Sequence, residues 1–169
     1  AMLLLTYAPA NADQTDPKLD KLFTALQTSL SNANAANLER EIWAIWTRYP
    51  DDQAINRQMD RAIKMMNAGR LDDAEAMFSA IISRKPAFAE AWNKRATVRF
   101  FRGDDAGSAN DILQVIKLEP RHFGALSGLG MIKVREGDLQ GAFPAYRAAQ
   151  RINPFFPHIE TIITELRQA

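Results

Sequence analysis

WNKRATVRFFRGDDAGSANDILQVIKLEP, residues 92–120, carries a pattern that returns twice more in the chain. Its markers are Trp92, Ala96, Gly103-Asp104, Ser108, Ile112, Val115 and Pro120. Moved 34 residues back, the pattern meets Ala62, Gly69-Arg70, Ala74, Phe78, Ile81 and Pro86; moved 34 forward, it meets Gly130, Gly137-Asp138, Ala142, Tyr146, Ala149 and Pro154. A fixed period of this size is the signature of stacked helical repeats, each unable to bury its apolar faces alone. Glycine supplies the positive φ that ends one helix, and proline blocks continuation of the next.

Working outward from this stretch, the first clear repeat places helices over residues 52–66 and 71–83. The second places them over 88–101 and 105–118, the third over 122–135 and 139–152. Pro144 falls early in the last of these, so that helix is expected to start late or to kink. Upstream, Asp16-Pro17 reads as a helix start. Leu19, Leu22, Phe23, Leu26 and Leu30 recur at helical spacing, followed by a second amphipathic run through Leu38, Ile42, Trp43, Ile45 and Trp46. This pair is read as a degenerate repeat. Downstream, Ile159, Ile162, Ile163 and Leu166 mark a short amphipathic helix expected to cover the flank of the third repeat.

The resulting expectation is an all-α, right-handed superhelical α-solenoid of antiparallel helix pairs. Residues 1–12 form a leader-like segment and 13–50 a degenerate helix pair. Residues 51–154 hold three repeats (about 55–88, 89–122 and 123–156), and 155–169 hold a capping helix.

On these residues the chain resembles the tetratricopeptide repeat family, most clearly over 55–154. The resemblance implies that Ala62, Ala96 and Gly130, with Ala74, Ser108 and Ala142, let paired helices approach closely, and that the first helices of successive repeats line a concave groove. It also exposes departures. Arg61 and Arg95 stand where the family has Leu, and Arg99 and Lys133 where it has an aromatic residue. The stripe Arg95, Arg99, Arg102 is open to two readings: an anion contact, or aliphatic stems packed with guanidinium groups reaching Asp111, Glu75 or Asp72. The family's carboxylate clamp for chaperone tails maps onto Met59, Ile63, Lys94, Gly124 and Gly128, where only Lys94 suits it, so that ligand is not expected.

Composition narrows the chemistry. The 169 residues contain no cysteine and two histidines, with a formal net charge of +1. Thiol catalysis, disulfides and cysteine-ligated zinc are excluded, and no global field draws nucleic acid. His122 and His158 share no metal-binding spacing, no Gly-rich phosphate loop follows a strand, and the acid pairs sit at helix starts, where capping accounts for them. The chain is therefore expected to be no enzyme and to need no metal or cofactor.

What remains is surface. Asn93, Thr97, Phe100 and Phe101 share a helical face, and the matching positions are Met59, Ile63 and Met66 in the first repeat, and Met131 and Val134 in the third. An apolar face of this kind marks an interaction site. The partner is expected to be an unidentified protein or peptide, bound as a helix or extended segment. The alternatives are homo-oligomerisation, a small hydrophobic ligand, or coverage by the chain's own terminal helices. Met2-Leu3-Leu4-Leu5, ending at Ala10-Asn11-Ala12, is too short to span a bilayer and resembles the back half of a signal peptide. It points to a bacterial periplasmic protein; the alternative is a cytoplasmic one.

Overall fold

A computed structural model describes residues 13–156 and 159–168; the leader-like segment 1–12 lies outside them. After a short 3-10 turn (Asp13–Thr15), the helices are α1 (Lys18–Gln27), α2 (Asn32–Trp46), α3 (Gln53–Asn67), α4 (Leu71–Arg84), α5 (Ala89–Phe101), α6 (Asp105–Leu118), α7 (Phe123–Arg135), α8 (Leu139–Ile152) and α9 (Ile159–Gln168). The pairs α3/α4, α5/α6 and α7/α8 pack closely, and each repeat leans on the next through α4·α5 and α6·α7. The described chain is an all-α solenoid of antiparallel pairs.

The repeat turns follow directly from their residues. In the middle repeat Gly103 adopts φ 80°. Its N–H reaches the Phe100 carbonyl at 3.0 Å, and Asp104 N–H reaches the Arg99 carbonyl at 2.9 Å, a Schellman closure. Asp104 then caps α6 by accepting from Gly107 N–H at 2.9 Å, and Asp138 caps α8 the same way from Gly141 at 2.8 Å. Because of that cap, α8 begins at Leu139 rather than late. It runs through Pro144, which is exposed and brings no N–H to the i−4 carbonyl of Gln140.

Close approach within a repeat is sharpest in the third. A Cβ at Gly130 would fall 2.7 Å from Tyr146 Cε2, inside the ring's contact radius. The buried Tyr146 ring fills the volume that a side chain at Gly130 would need.

The arginine stripe is structural. Arg95 grips Asp111 bidentately at 2.8 and 2.7 Å, and Arg99 binds Glu75 at 2.8 Å and Asp111 at 3.1 Å. Arg102 also pairs with Glu75. These side chains tie α4, α5 and α6 together with their charges satisfied.

The N-terminal helix pair does not extend the stack. Leu19, Phe23, Leu26, Ile42 and Trp46 share one buried cluster with Phe123, Leu126, Tyr146 and Ile163. The α1–α2 hairpin therefore packs on the third repeat, with α9 against α8. α1 ends at Gln27, and Leu30, which fitted its helical spacing, lies fully exposed in the hairpin turn.

Candidate partner-binding groove

The concave face is lined by α3, α5 and α7, and it is divided into three parts. Over α3 the linker from α2 returns across the face. The Asn56 side chain accepts from Tyr49 N–H at 2.7 Å and donates to the Tyr49 carbonyl at 2.9 Å. Arg48 pairs with Asp60 at 2.7 Å. Tyr49 is buried in the same cluster as Met59. Met59 is consequently fully buried and is not a groove residue, contrary to the expectation from its register. Ile63 and Met66 are half-buried against that cluster and do not line the open groove.

Over the N-terminal ends of α5 and α7, α2 fills the face. Trp46 stacks on His122, centroids 4.1 Å apart and planes within 9°. Trp43 meets Phe123 edge-on at 5.4 Å. Lys94, the one residue suited to a carboxylate clamp, lies 5.3 Å from the Trp43 ring centroid and pairs with Glu90 at 3.1 Å. Beneath the two tryptophans is a buried polar network. His122 Nδ1 accepts from Ala125 N–H at 3.1 Å and so caps α7. Its Nε2 must then carry the proton and donate to Glu90 at 2.8 Å. Asn93 donates to the same carboxylate oxygen at 3.0 Å.

Burial alone would raise the Glu90 carboxyl, but the Lys94 ammonium and the His122 hydrogen bond outweigh it and hold the group below its ordinary 4.5. A depressed folded value means that this stability is fully present above about pH 4.5 and is lost as pH falls through the folded value. Urea midpoints measured between pH 7 and 3 should fall at the acid end, and Glu90→Gln should flatten that slope.

Towards the C-terminal ends of α5 and α7 the face is open. A groove of about 220 Å³ is walled by Thr97, Phe100 and Phe101 on one side and Ser127 and Met131 on the other, with Asn93 at its junction with the hairpin. Gly128 leaves its floor low; a Cβ there would already touch Ile112 Cδ1 at 3.3 Å. Phe101 is 62% exposed, Met131 44% and Val134 41%. Arg135 lies 3.6 Å from the Phe100 centroid, anchored by Asp105, and packs its guanidinium on that ring. The structure thus gathers Asn93, Thr97, Phe100, Phe101 and Met131, with Val134 exposed one turn along α7. Phe156 joins the lining. Its sequence signal was an aromatic pair after Pro154, which has no periodic place. Among the described residues no group of His, Cys, Asp and Glu is arranged to hold a metal ion.

The fold and its repeats have clear relatives. The tetratricopeptide repeat model matches residues 59–115 and 94–156. A TPR repeat-containing protein of Rhizobium etli is 35% identical over 137 residues, which cover 81% of this chain and 67% of that protein. The first TPR of Spaghetti (RPAP3), solved with the HSP90 peptide SRMEEVD, shares the fold with a TM-score of 0.66 at 18% identity, over 70% of this chain and 94% of that one. The Yersinia enterocolitica type III secretion chaperone SycD, solved with a peptide of the translocator YopD, gives 0.66 at 11% identity, over 72% and 98%. The exact 34-residue register, the Schellman turns and these matches lead to one conclusion: the chain belongs to the tetratricopeptide repeat family.

Proposed function

We propose that this chain is a non-enzymatic protein–protein interaction module that takes an apolar helix or extended peptide of a partner protein in the open part of its concave groove. The observation that carries the reading is the clustering of exposed Phe101, Met131 and Val134 beside a glycine-floored groove. A patch of large apolar side chains at a concave surface is what a partner would desolvate. The two solved structures of the same fold named above hold peptides, which supports this class of ligand. The ligand chemistry here differs from a charged tail, since Met59 is buried and Lys94 is engaged with Glu90. The groove's volume also falls below the roughly 300 Å³ at which pockets begin to enclose a drug-sized molecule, which favours a peptide over a small hydrophobic ligand.

The combined variant Phe101→Asp, Met131→Asp tests the reading. Both positions are exposed, so helicity by circular dichroism should match wild type. Partner binding, compared by affinity capture and then by titration of the captured protein, should weaken at least ten-fold, as expected when central apolar anchors are lost. Recovery of the same proteins with the same affinity would refute the groove. Export to the periplasm is a further part of this proposal, motivated by the Ala10-Asn11-Ala12 pattern. N-terminal sequencing of the protein recovered from cells checks it, and an intact leader in the cytoplasm would count against it.

A further inference from the structure

The filled part of the groove describes a ligand as clearly as the open part does. α2 touches it through Glu39, Trp43 and Trp46, spaced i, i+4 and i+7 and therefore on one helical face. Each meets a dedicated feature. Glu39 accepts from Asn153 Nδ2 at 3.0 Å, at the end of α8. The Trp43 ring lies against Lys94 and reaches the backbone of Gly124, where a Cβ would fall 2.7 Å from its Cη2, so only glycine admits it. Trp46 covers the His122 ring.

The centre of this seat is apolar, with Leu19, Leu26, Ile42 and Trp46 buried against Phe123 and Leu126, while the polar contacts at its rim are of a kind that can open. Arg121 pairs with Asp20 at 2.6 Å, with the aspartate largely in solvent, and Gln27 donates to the Arg151 carbonyl at 3.3 Å. The Trp46 indole N–H is buried without an acceptor among the described residues, and a buried donor left unpaired weakens the fit. α2 is joined to α3 through the short linker 47–52, which stays held on α3 by Asn56 and Asp60.

We propose that the α1–α2 hairpin is a displaceable occupant of the groove, standing in for a partner helix that presents a carboxylate and two aromatic side chains at i, i+4 and i+7. Such a helix competes with the hairpin for Asn153, Lys94, Gly124 and His122. The inference rests on reading the chain as an interaction module, but it concerns the part of the groove that Phe101 and Met131 do not form.

The test uses the full chain and a fluorescent synthetic peptide of residues 16–46. Wild-type chain should bind it weakly, because its own hairpin competes at high effective concentration. Trp46→Ala in the chain should raise the affinity for the wild-type peptide at least ten-fold. The chain has no cysteine, so Asp20→Cys with Arg121→Cys can be bridged by a short bismaleimide, and the bridged chain should bind no peptide. Peptides carrying Glu39→Gln, Trp43→Ala or Trp46→Ala should each lose at least ten-fold. Equal binding to the bridged and unbridged chains, no binding to any chain, or equal binding of all peptides would overturn the proposal. Should Trp46→Ala unfold the chain, the difference between bridged and unbridged chains is sufficient by itself. Phe101→Asp should leave peptide binding unchanged, so a failure of the open groove and a failure of the hairpin are told apart.

Discussion

Alanine at Asp111 should lower the stability of the chain by about 3–5 kcal/mol, the range for removing one partner of a buried ion pair. The Asp111 side chain is 2% exposed and that of Arg95 13%. Arg95 donates twice to Asp111, and Arg99 reaches it as well. Without the carboxylate, Arg95 keeps only the Ser79 hydroxyl at 3.0 Å and its place over the Trp92 ring. Arg99 would still hold Glu75, whose carboxyl sits below its ordinary value because Arg99 and Arg102 outweigh its partial burial. The loss is thus centred on Arg95. Urea unfolding should show a lower midpoint at unchanged slope. The paired change Arg95→Met with Asp111→Leu should recover most of the loss, since similar-sized apolar side chains replace buried pairs at little cost. Equal losses in the single and paired variants would mean that packing, and not the stranded charge, sets the effect.

Phe123→Ala should cost about 3–5 kcal/mol, as for other fully buried aromatic side chains. Phe123 is 0% exposed. Its ring stands between three others, 5.4 Å from Trp43, 5.3 Å from Trp46 and 5.3 Å from Phe156. One truncation therefore loosens the hairpin, the head of α7 and the segment after α8 together. Hydrogen exchange should quicken in α1 and α2 as well as in α7, while α3 and α4, whose cluster does not contain Phe123, keep their protection. Faster exchange confined to α7 would show that the hairpin is held by other contacts.

The solenoid was legible because its instructions are local. Gly103 and Pro120 each specify a backbone event at a known place, and Ala96 and Ser108 mark where two helices meet, so a constant period carried the architecture. The same period places Phe100, Phe101 and Met131 on one face, and they line its open part. Met59 shares their register and still went inside, because Tyr49 and Arg48 fold back over α3 through Asn56 and Asp60. That is a contact between segments, and no periodicity encodes it. The same holds for Trp43 and Trp46. Their spacing announced a buried helical face, but the surface that buries it includes His122, far along the chain, whose other nitrogen is committed to a helix cap. The arginine stripe kept two readings in sequence, and the position of Asp111 on the neighbouring helix decided between them.

The return of the hairpin to the far end of the array changes the kind of polymer this chain is. An open solenoid couples only neighbouring repeats, and its ends fray independently. Here Asp20 meets Arg121 across 101 residues, Glu39 meets Asn153 across 114, and Gln27 meets Arg151 across 124. The first helices and the last repeat thereby close a loop around the middle of the sequence. Closing it costs chain entropy that local repeat contacts never incur, which places the hairpin late in folding. While the hairpin is seated, the array's two ends are joined; when it leaves, they are released together.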